Sequence, residues 1–341
     1  MLDSRMDKLK HFVSKGVKLH GKADFKSAIV CYENALEIAK LIKPNTKVYD
    51  IIYRNMGLSF SSIFEYDKAL SFYNKCEIKE PQLKYEISLA LFHLNRFDEG
   101  IDLYENRYLK QIKFPHLSIP FIDRRSGIDN LRDRNVIFYN EEGLGDELMY
   151  MRGIYKISEL VKSAKIKVYP ELFELFEKNI KLPNIEFCTD IKNSELIRFD
   201  AYSCTGNIWS FFPKENPLEL KSGREKLDIS GIGFVHSPNK LSPNFNDRKV
   251  PEQYFKSLGT NLHSLQYGSN VNYATNHTIK NFVDTLQLIE SLDEVQTVDT
   301  SVAHLLANSS ARHKCKSTVV YKKYIDWRWH SGLYDIGVKQ V

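Results

Sequence analysis

Glu141-Glu142-Gly143-Leu144-Gly145-Asp146 is the stretch that decides the fold, and Asp299-Thr300-Ser301-Val302-Ala303-His304 repeats its situation about half a chain later. Each follows an apolar, strand-like run (Asn135 to Asn140, Val295 to Val298) and precedes a helix-like run. Each therefore lies at the carboxyl end of a strand, where open α/β sheets bind ligands. Two such turns in two successive α/β units predict a cleft between two domains.

Working outward from the first turn, the spacing predicts a helix over Glu147 to Ser163. Leu148, Met151, Ile154, Ile157, Leu160 and Val161 form its apolar face. Strands follow at Ile166 to Tyr169, Ile185 to Cys188 and Phe199 to Ser203, then a polar stretch from Pro213 to Asp228. A second unit runs through strands at Gly231 to His236 and Leu262 to Gln266 and a helix at Ile279 to Ser291. It then reaches the Asp299 turn, with Ser317 to Tyr321 and Tyr334 to Val338 as closing strands. Alternation of this kind predicts two Rossmann-like domains, 135–228 and 229–341. Gln296 puts a polar side chain into a strand expected to be buried. Ahead of both domains, 114–134 reads as a linker, with Pro115, Pro120 and the charged run Asp123-Arg124-Arg125.

Residues 1–113 are of another kind. Aligning Ala28, Ala69 and Gly100 superimposes three copies of one pattern: Gly16, Phe25, Ala28 and Tyr32, then Gly57, Tyr66, Ala69 and Tyr73, then Phe97, Gly100 and Tyr104 with Ser88 in the glycine's place. The copies are 41 and 31 residues apart, and the added length falls in a longer second helix and loop around Ile42 to Lys47. This pattern resembles the tetratricopeptide (TPR) repeat, a helix-turn-helix unit of about 34 residues. The expected fold class is thus α plus α/β.

Composition bounds the partners. With 43% hydrophobic and 27% charged residues over 341 positions, the chain is an ordinary globular protein of two or three domains. A net charge of +5 with pI near 8.7 permits an anionic ligand, but no concentrated basic stripe marks a nucleic-acid partner. The five cysteines are scattered without a Cys-x-x-Cys pair, so neither a disulfide framework nor a zinc site is expected. No apolar run has membrane-spanning length, and the reading is of a cytoplasmic protein.

Taken together, these strings resemble TPR proteins whose C-terminal region is a GT-B glycosyltransferase related to the heptosyltransferases. The matching strings are the Glu-x-Gly-Leu-Gly-Asp turn, Asn239 with Asp247-Arg248, Ser264-Leu265-Gln266, the Asp299 turn and Asp326-Trp327-Arg328-Trp329, in the family's order. Pro238 stands where the family has glycine, and Ala311 to Lys316 replaces a Gly-x-Pro step. The resemblance implies a nucleotide-sugar donor, no further cofactor, and an acceptor protein, peptide or glycan recruited by the repeats. It also implies Asp146 as general base, with Gly143, Gly145, Asn239, Arg248, Gln266, Asp299, Thr300, Ser301 and His304 around the substrates. No Asp-x-Asp string occurs, so no metal is expected.

The residues themselves support this chemistry without compelling it. Thr300 and Ser301 open a helix whose free N–H groups attract phosphate. Asp299 is placed to accept from sugar hydroxyls, and His304 lies one turn beyond Thr300. The same residues equally describe a helix cap followed by a buried histidine. Asp146 suits a proton acceptor, with the glycines letting substrate approach, or again a helix N-cap. Two further functions stay open, a non-catalytic adaptor with a degenerate transferase part and a glycosyltransferase acting on phage DNA.

Overall fold

The computed structural model describes residues 2–110, 118–240, 242, 245–268, 270–323 and 325–341. The chain forms two compact units, Met1–Lys113 and Phe114–Val341.

The first unit is three successive helix pairs: α1 (Leu2–His20) with α2 (Phe25–Ile42), α3 (Thr46–Ser62) with α4 (Tyr66–Tyr73), and α5 (Pro81–His93) with α6 (Phe97–Tyr104). Their starts are set locally: Asp24 and Asn45 accept from Ser27 N and Val48 N, and Pro81 occupies the first turn of α5. The repeated glycine has a spatial cause. A Cβ on Gly16 would lie 2.5 Å from the Tyr32 ring, and one on Gly57 would lie 2.3 Å from the Tyr73 ring. Both tyrosines are fully buried, so each glycine is the hollow that seats the partner helix's aromatic. Ser88 fills that place in the third pair, donating to Tyr85 O at 2.6 Å. The first pair is the long one, with 18 residues in α2 against 8 in α4 and 8 in α6.

The second unit holds two parallel sheets. In the first, β1 (Asn135–Tyr139), β2 (Ser163–Lys167), β3 (Ile185–Cys188) and β4 (Ala201–Cys204) lie in the order β3-β2-β1-β4. Between β1 and β2 the chain forms α7 (Leu144–Tyr150), one 3-10 turn at Met151–Gly153, and α8 (Ile154–Leu160); α9 (Pro170–Asn179) follows β2 and α10 (Thr205–Phe211) follows β4. The uninterrupted helix expected over Glu147 to Ser163 is therefore two helices. The break falls at Gly153, where a Cβ would lie 2.4 Å from Ile208 O, so the backbone of α10 presses on the chain at that point.

The second sheet has β5 (Ile232–Val235), then α11 (Phe245–Arg248), α12 (Glu252–Lys256), β6 (Leu262–Ser264), β7 (Thr275–Asn276), α13 (Phe282–Ser291), β8 (Glu294–Thr297), α14 (Ser301–Ala307), β9 (Lys316–Tyr321), α15 (Trp327–His330) and β10 (Gly337–Gln340). Its order is β10-β9-β8-β5-β6-β7, all parallel. The last strand begins beyond Tyr334, whose ring is buried. Gln296 is accommodated in β8 by Tyr254 Oη, which donates to its Oε1 at 2.6 Å, and by Glu294 Oε1, which accepts from its Nε2 at 2.6 Å.

Both sheets reverse direction once, between β1 and β4 and between β5 and β8. Those switch points are where parallel sheets open a crevice at their carboxyl ends. One apolar core runs through both sheets, taking in Val136, Phe138 and Leu148 as well as Phe234, Val295 and Leu305. The stretch after α10 ties across it: Leu220 N donates to Asn308 O at 2.9 Å, and Lys221 N donates to Asn179 Oδ1 at 2.8 Å. Of the segment 114–134, residues 114–117 lie outside the described residues, and the rest is built into this unit. Phe121 bridges to Tyr202 beside β4, and Ile122 and Leu131 are buried in the core.

Candidate functional site

The first turn leaves β1 at the switch point of its sheet. Glu142 takes φ +60°, turning the chain so that Gly143 caps α7 and Glu147 N donates to Gly143 O at 3.0 Å. Asp146 is therefore not the N-cap but the third residue of the helix, and its Oδ2 reaches back to accept from Gly143 N at 3.1 Å. Its other oxygen, Oδ1, accepts from Arg328 Nη2 at 2.6 Å. The lack of a side chain at Gly145 also has a definite occupant. A Cβ there would lie 2.6 Å from His304 Cδ2, so this glycine seats the histidine of the other half, and α7 and α14 pack directly.

Two carboxylates that sequence reasoning passed over flank this turn. Glu141 Oε1 accepts from Gly206 N at 2.8 Å, joining the ends of β1 and β4. Glu147 is completely buried, with Oε2 accepting from Thr205 Oγ1 at 3.4 Å. Burial pushes its carboxyl well above the usual carboxylate range, and the neighbouring Glu141 charge adds to the shift. The sequence does carry a signal for Glu147, which lies four and seven residues before Met151 and Ile154 and so shares their apolar face.

At the second switch point, Asp299 closes β8. Its carboxylate pairs with Arg248 from α11 (Nε to Oδ2 3.2 Å), and the same guanidinium donates to Asp299 O. Burial raises the Asp299 carboxyl, and Arg248 opposes that shift. Thr300 caps α14, its Oγ1 3.2 Å from Thr297 Oγ1, and Thr300 and Ser301 are half-buried. The first N–H groups of α14 have no partner within the helix. His304 does not project beside Thr300 toward a ligand. It is buried, with Nδ1 3.0 Å from Tyr334 Oη and its ring 4.6 Å from that of Trp329. Burial, then the Arg328 charge, drives it well below the usual histidine range, so it is neutral. Gln266 Oε1 accepts from Ser237 N at 3.3 Å, linking the ends of β5 and β6, while Asn239 is exposed in the loop after β5.

The two turns are joined by the Asp326-Trp327-Arg328-Trp329 string. Asp326 caps α15, accepting from Arg328 N at 3.1 Å, and also holds Arg328 Nη1 at 2.8 Å. Arg328 thus spans Asp326 on its own half and Asp146 on the other. Trp327 and Trp329 are buried beside it, with Trp327 5.8 Å from Trp209 of the first half. Of the residues singled out in the sequence, the fold brings Gly145 against His304, Asp146 onto Gly143 N, and Arg248 against Asp299. Asn239 and Gln266 stand along the β5 and β6 side of the second crevice.

No protein-family model matches the chain, and no curated protein matches it in sequence. Solved structures of similar shape are glycosyltransferases. The dodecameric iron-containing heptosyltransferase TibC, in complex with ADP-D-beta-D-heptose, has 16% identity and a TM-score of 0.40; the match covers 53% of this chain and 57% of that one. The E. coli heptosyltransferase WaaC with ADP has 10% identity and a TM-score of 0.39, covering 61% of this chain and 91% of that one. An O-GlcNAc transferase of Thermobaculum terrenum has 9% identity and a TM-score of 0.30, covering 96% and 85%. This chain spans less than two thirds of the TibC length. All three TM-scores lie below 0.5, and the fold assignment rests on the strand orders.

Proposed function

We propose that the chain is a glycosyltransferase of GT-B type that takes a sugar from a nucleotide-sugar donor. The observation that carries this reading is the meeting of two switch-point turns. A carboxylate, Asp146, lies on one and is held by Arg328, a helix start with Thr300 and Ser301 lies on the other, and Gly145 of the first packs on His304 of the second. In the reaction, Asp146 takes the proton of an acceptor hydroxyl as that oxygen bonds to the anomeric carbon of the donor. The bond from that carbon to the diphosphate breaks, and the electron pair leaves with the phosphate. The N–H groups of α14 and nearby cations stabilise the leaving charge in place of a metal. Turnover is therefore expected to survive EDTA. Asp299 orients the donor sugar and fixes Arg248 beside it. The helix pairs of residues 1–113 serve as TPRs that recruit the acceptor, a protein, peptide or glycan, in the cytoplasm.

The adaptor alternative draws on one observation. Both oxygens of Asp146 are engaged, one by Gly143 N and one by Arg328. Paired substitutions decide between the readings. Asp146→Asn keeps the size and the bond from Gly143 N but removes basicity, and is expected to lower nucleotide release from the donor by roughly two to four orders of magnitude without weakening donor affinity. Asp299→Ala is expected to weaken affinity for the nucleotide-sugar by about 1 to 3 kcal/mol, since hydroxyls of the donor sugar lose their acceptor. Unchanged turnover in Asp146→Asn would return that residue to a helix-capping role.

A further inference from the structure

We propose that Arg328 exchanges partners during the reaction, releasing Asp146 to take hold of the donor's diphosphate and so making the base available only when donor is bound. This deepens the glycosyltransferase reading and rests on it.

The geometry sets up the exchange. Arg328 holds two acids with one planar fork, Nη2 to Asp146 Oδ1 at 2.6 Å and Nη1 to Asp326 Oδ1 at 2.8 Å. The second contact is local, between α15 and its own N-cap, so the guanidinium has an anchor that does not depend on Asp146. The first contact crosses between the halves. While it stands, neither oxygen of Asp146 is open to an acceptor hydroxyl, because Oδ1 is in a charge-assisted bond with Arg328 and Oδ2 is occupied by Gly143 N. The bond from Gly143 is local to the helix start and costs nothing to keep. Only the contact with Arg328 must open.

A diphosphate is the ligand chemistry suited to opening it. It carries more negative charge than one carboxylate and presents paired oxygens that a guanidinium fork meets bidentately. The Arg328 charge also reaches the turn proposed to hold that group, since it acts on both Asp299 and His304. Its side chain is 14% exposed, enough for a ligand in the crevice to touch it. The guanidinium lies 4.6 Å over the Trp327 ring, a surface on which it can turn while keeping its charge stabilised. Linkage makes the consequence reciprocal: if donor must break the Asp146 pair to bind, removing the Asp146 charge must improve binding.

The test is calorimetric titration of the full chain with UDP, GDP, ADP and dTDP, using wild type, Asp146→Asn, Arg328→Gln and the double variant, each checked by thermal melt. Asp146→Ser serves as a second carrier of the same test if the asparagine variant melts early. The nucleotide that binds wild type is expected to bind Asp146→Asn on the order of tenfold more tightly and Arg328→Gln on the order of tenfold more weakly. The gain from Asp146→Asn should vanish in the Arg328→Gln background. Equal affinity of wild type and Asp146→Asn would overturn the exchange while leaving the donor reading in place. So would a gain that persists without Arg328, which would mark general relief of negative charge. Failure of all four nucleotides to bind any variant would overturn the donor reading and the exchange with it.

Discussion

Gly145→Ala adds a single methyl at the point where the two halves of the α/β unit touch. Its carbon would lie 2.6 Å from His304 Cδ2 and 3.2 Å from Cγ and Nε2 of the same ring. Carbon atoms in good contact are about 3.5 to 4.0 Å apart, so roughly 1 Å of room must be found. The histidine has little freedom to yield it, since Nδ1 is held 3.0 Å from Tyr334 Oη and Trp329 covers its ring at 4.6 Å. The remaining response is for α7 to tilt away from α14. Overpacking of this kind costs about 1 to 3 kcal/mol, and alanine recovers about 0.5 to 1 kcal/mol of helix preference. The net loss centres on about 1 kcal/mol within a range of about 0 to 2.5 kcal/mol, or a central fall of about 2 to 5 °C in the melting of the α/β unit. Gly143→Ala is the control: its backbone is extended, and a Cβ would meet only Asp146 Oδ2 at 3.4 Å. It should change stability by about 0.5 kcal/mol or less. Calorimetric melts of the full chain separate the cases. Gly145→Ala melting with or above wild type would refute the claim that this glycine exists to seat His304.

Three further substitutions read other parts of the fold. Burial keeps the Glu147 proton in the folded chain to higher pH than in the unfolded chain, where the group ionises near its ordinary value of 4.5, so wild type loses stability as pH rises above that value. The advantage of Glu147→Gln over wild type should therefore widen as pH rises above about 5, by up to about 1.4 kcal/mol per pH unit. A difference in denaturation midpoints that is flat with pH would contradict a neutral Glu147. In the helical unit, Gly57→Ala should cost about 1 to 3 kcal/mol, because its Cβ would lie 2.3 Å from the buried Tyr73 ring. Gly21→Ala, whose nearest contact is Val17 O at 3.5 Å, should be near neutral, and equal melts for the two would refute the glycine and tyrosine fit.

Elements defined by local apolar runs were legible in the sequence. Ile185–Cys188 has the bounds its alternation implies, and the crowding of Gly16 and Gly57 by Tyr32 and Tyr73 follows the register of the repeated pattern. What escaped the sequence depends on partners far along the chain. The break between Tyr150 and Ile154 lies where Ile208 O crowds Gly153, and the hollow at Gly145 holds His304, so neither shows in helical spacing. Asp146 and Arg328 are 182 residues apart, and nothing in either string announces the pair. The segment before β1 reads as a linker because Pro120 and Asp123-Arg124-Arg125 dominate it. It is anchored by backbone bonds of Pro120 and Ile122 to Tyr202 and by burial of Ile122 and Leu131, which a short local pattern does not announce. The strings around Asp146 and Asp299 follow strands at the switch points of the two sheets, as their spacing implies; which side chains engage one another there needed the fold.

The most direct measurement of the central claim is nucleotide release from UDP-, GDP-, ADP- and dTDP-sugars by the full chain, with calorimetric affinity for the matching diphosphate measured on the same preparation. One nucleotide class should bind and its sugar should be turned over, with turnover lost in Asp146→Asn and affinity for the intact nucleotide-sugar weakened in Asp299→Ala. A folded chain that binds none of the four diphosphates and consumes none of their sugars would contradict the account.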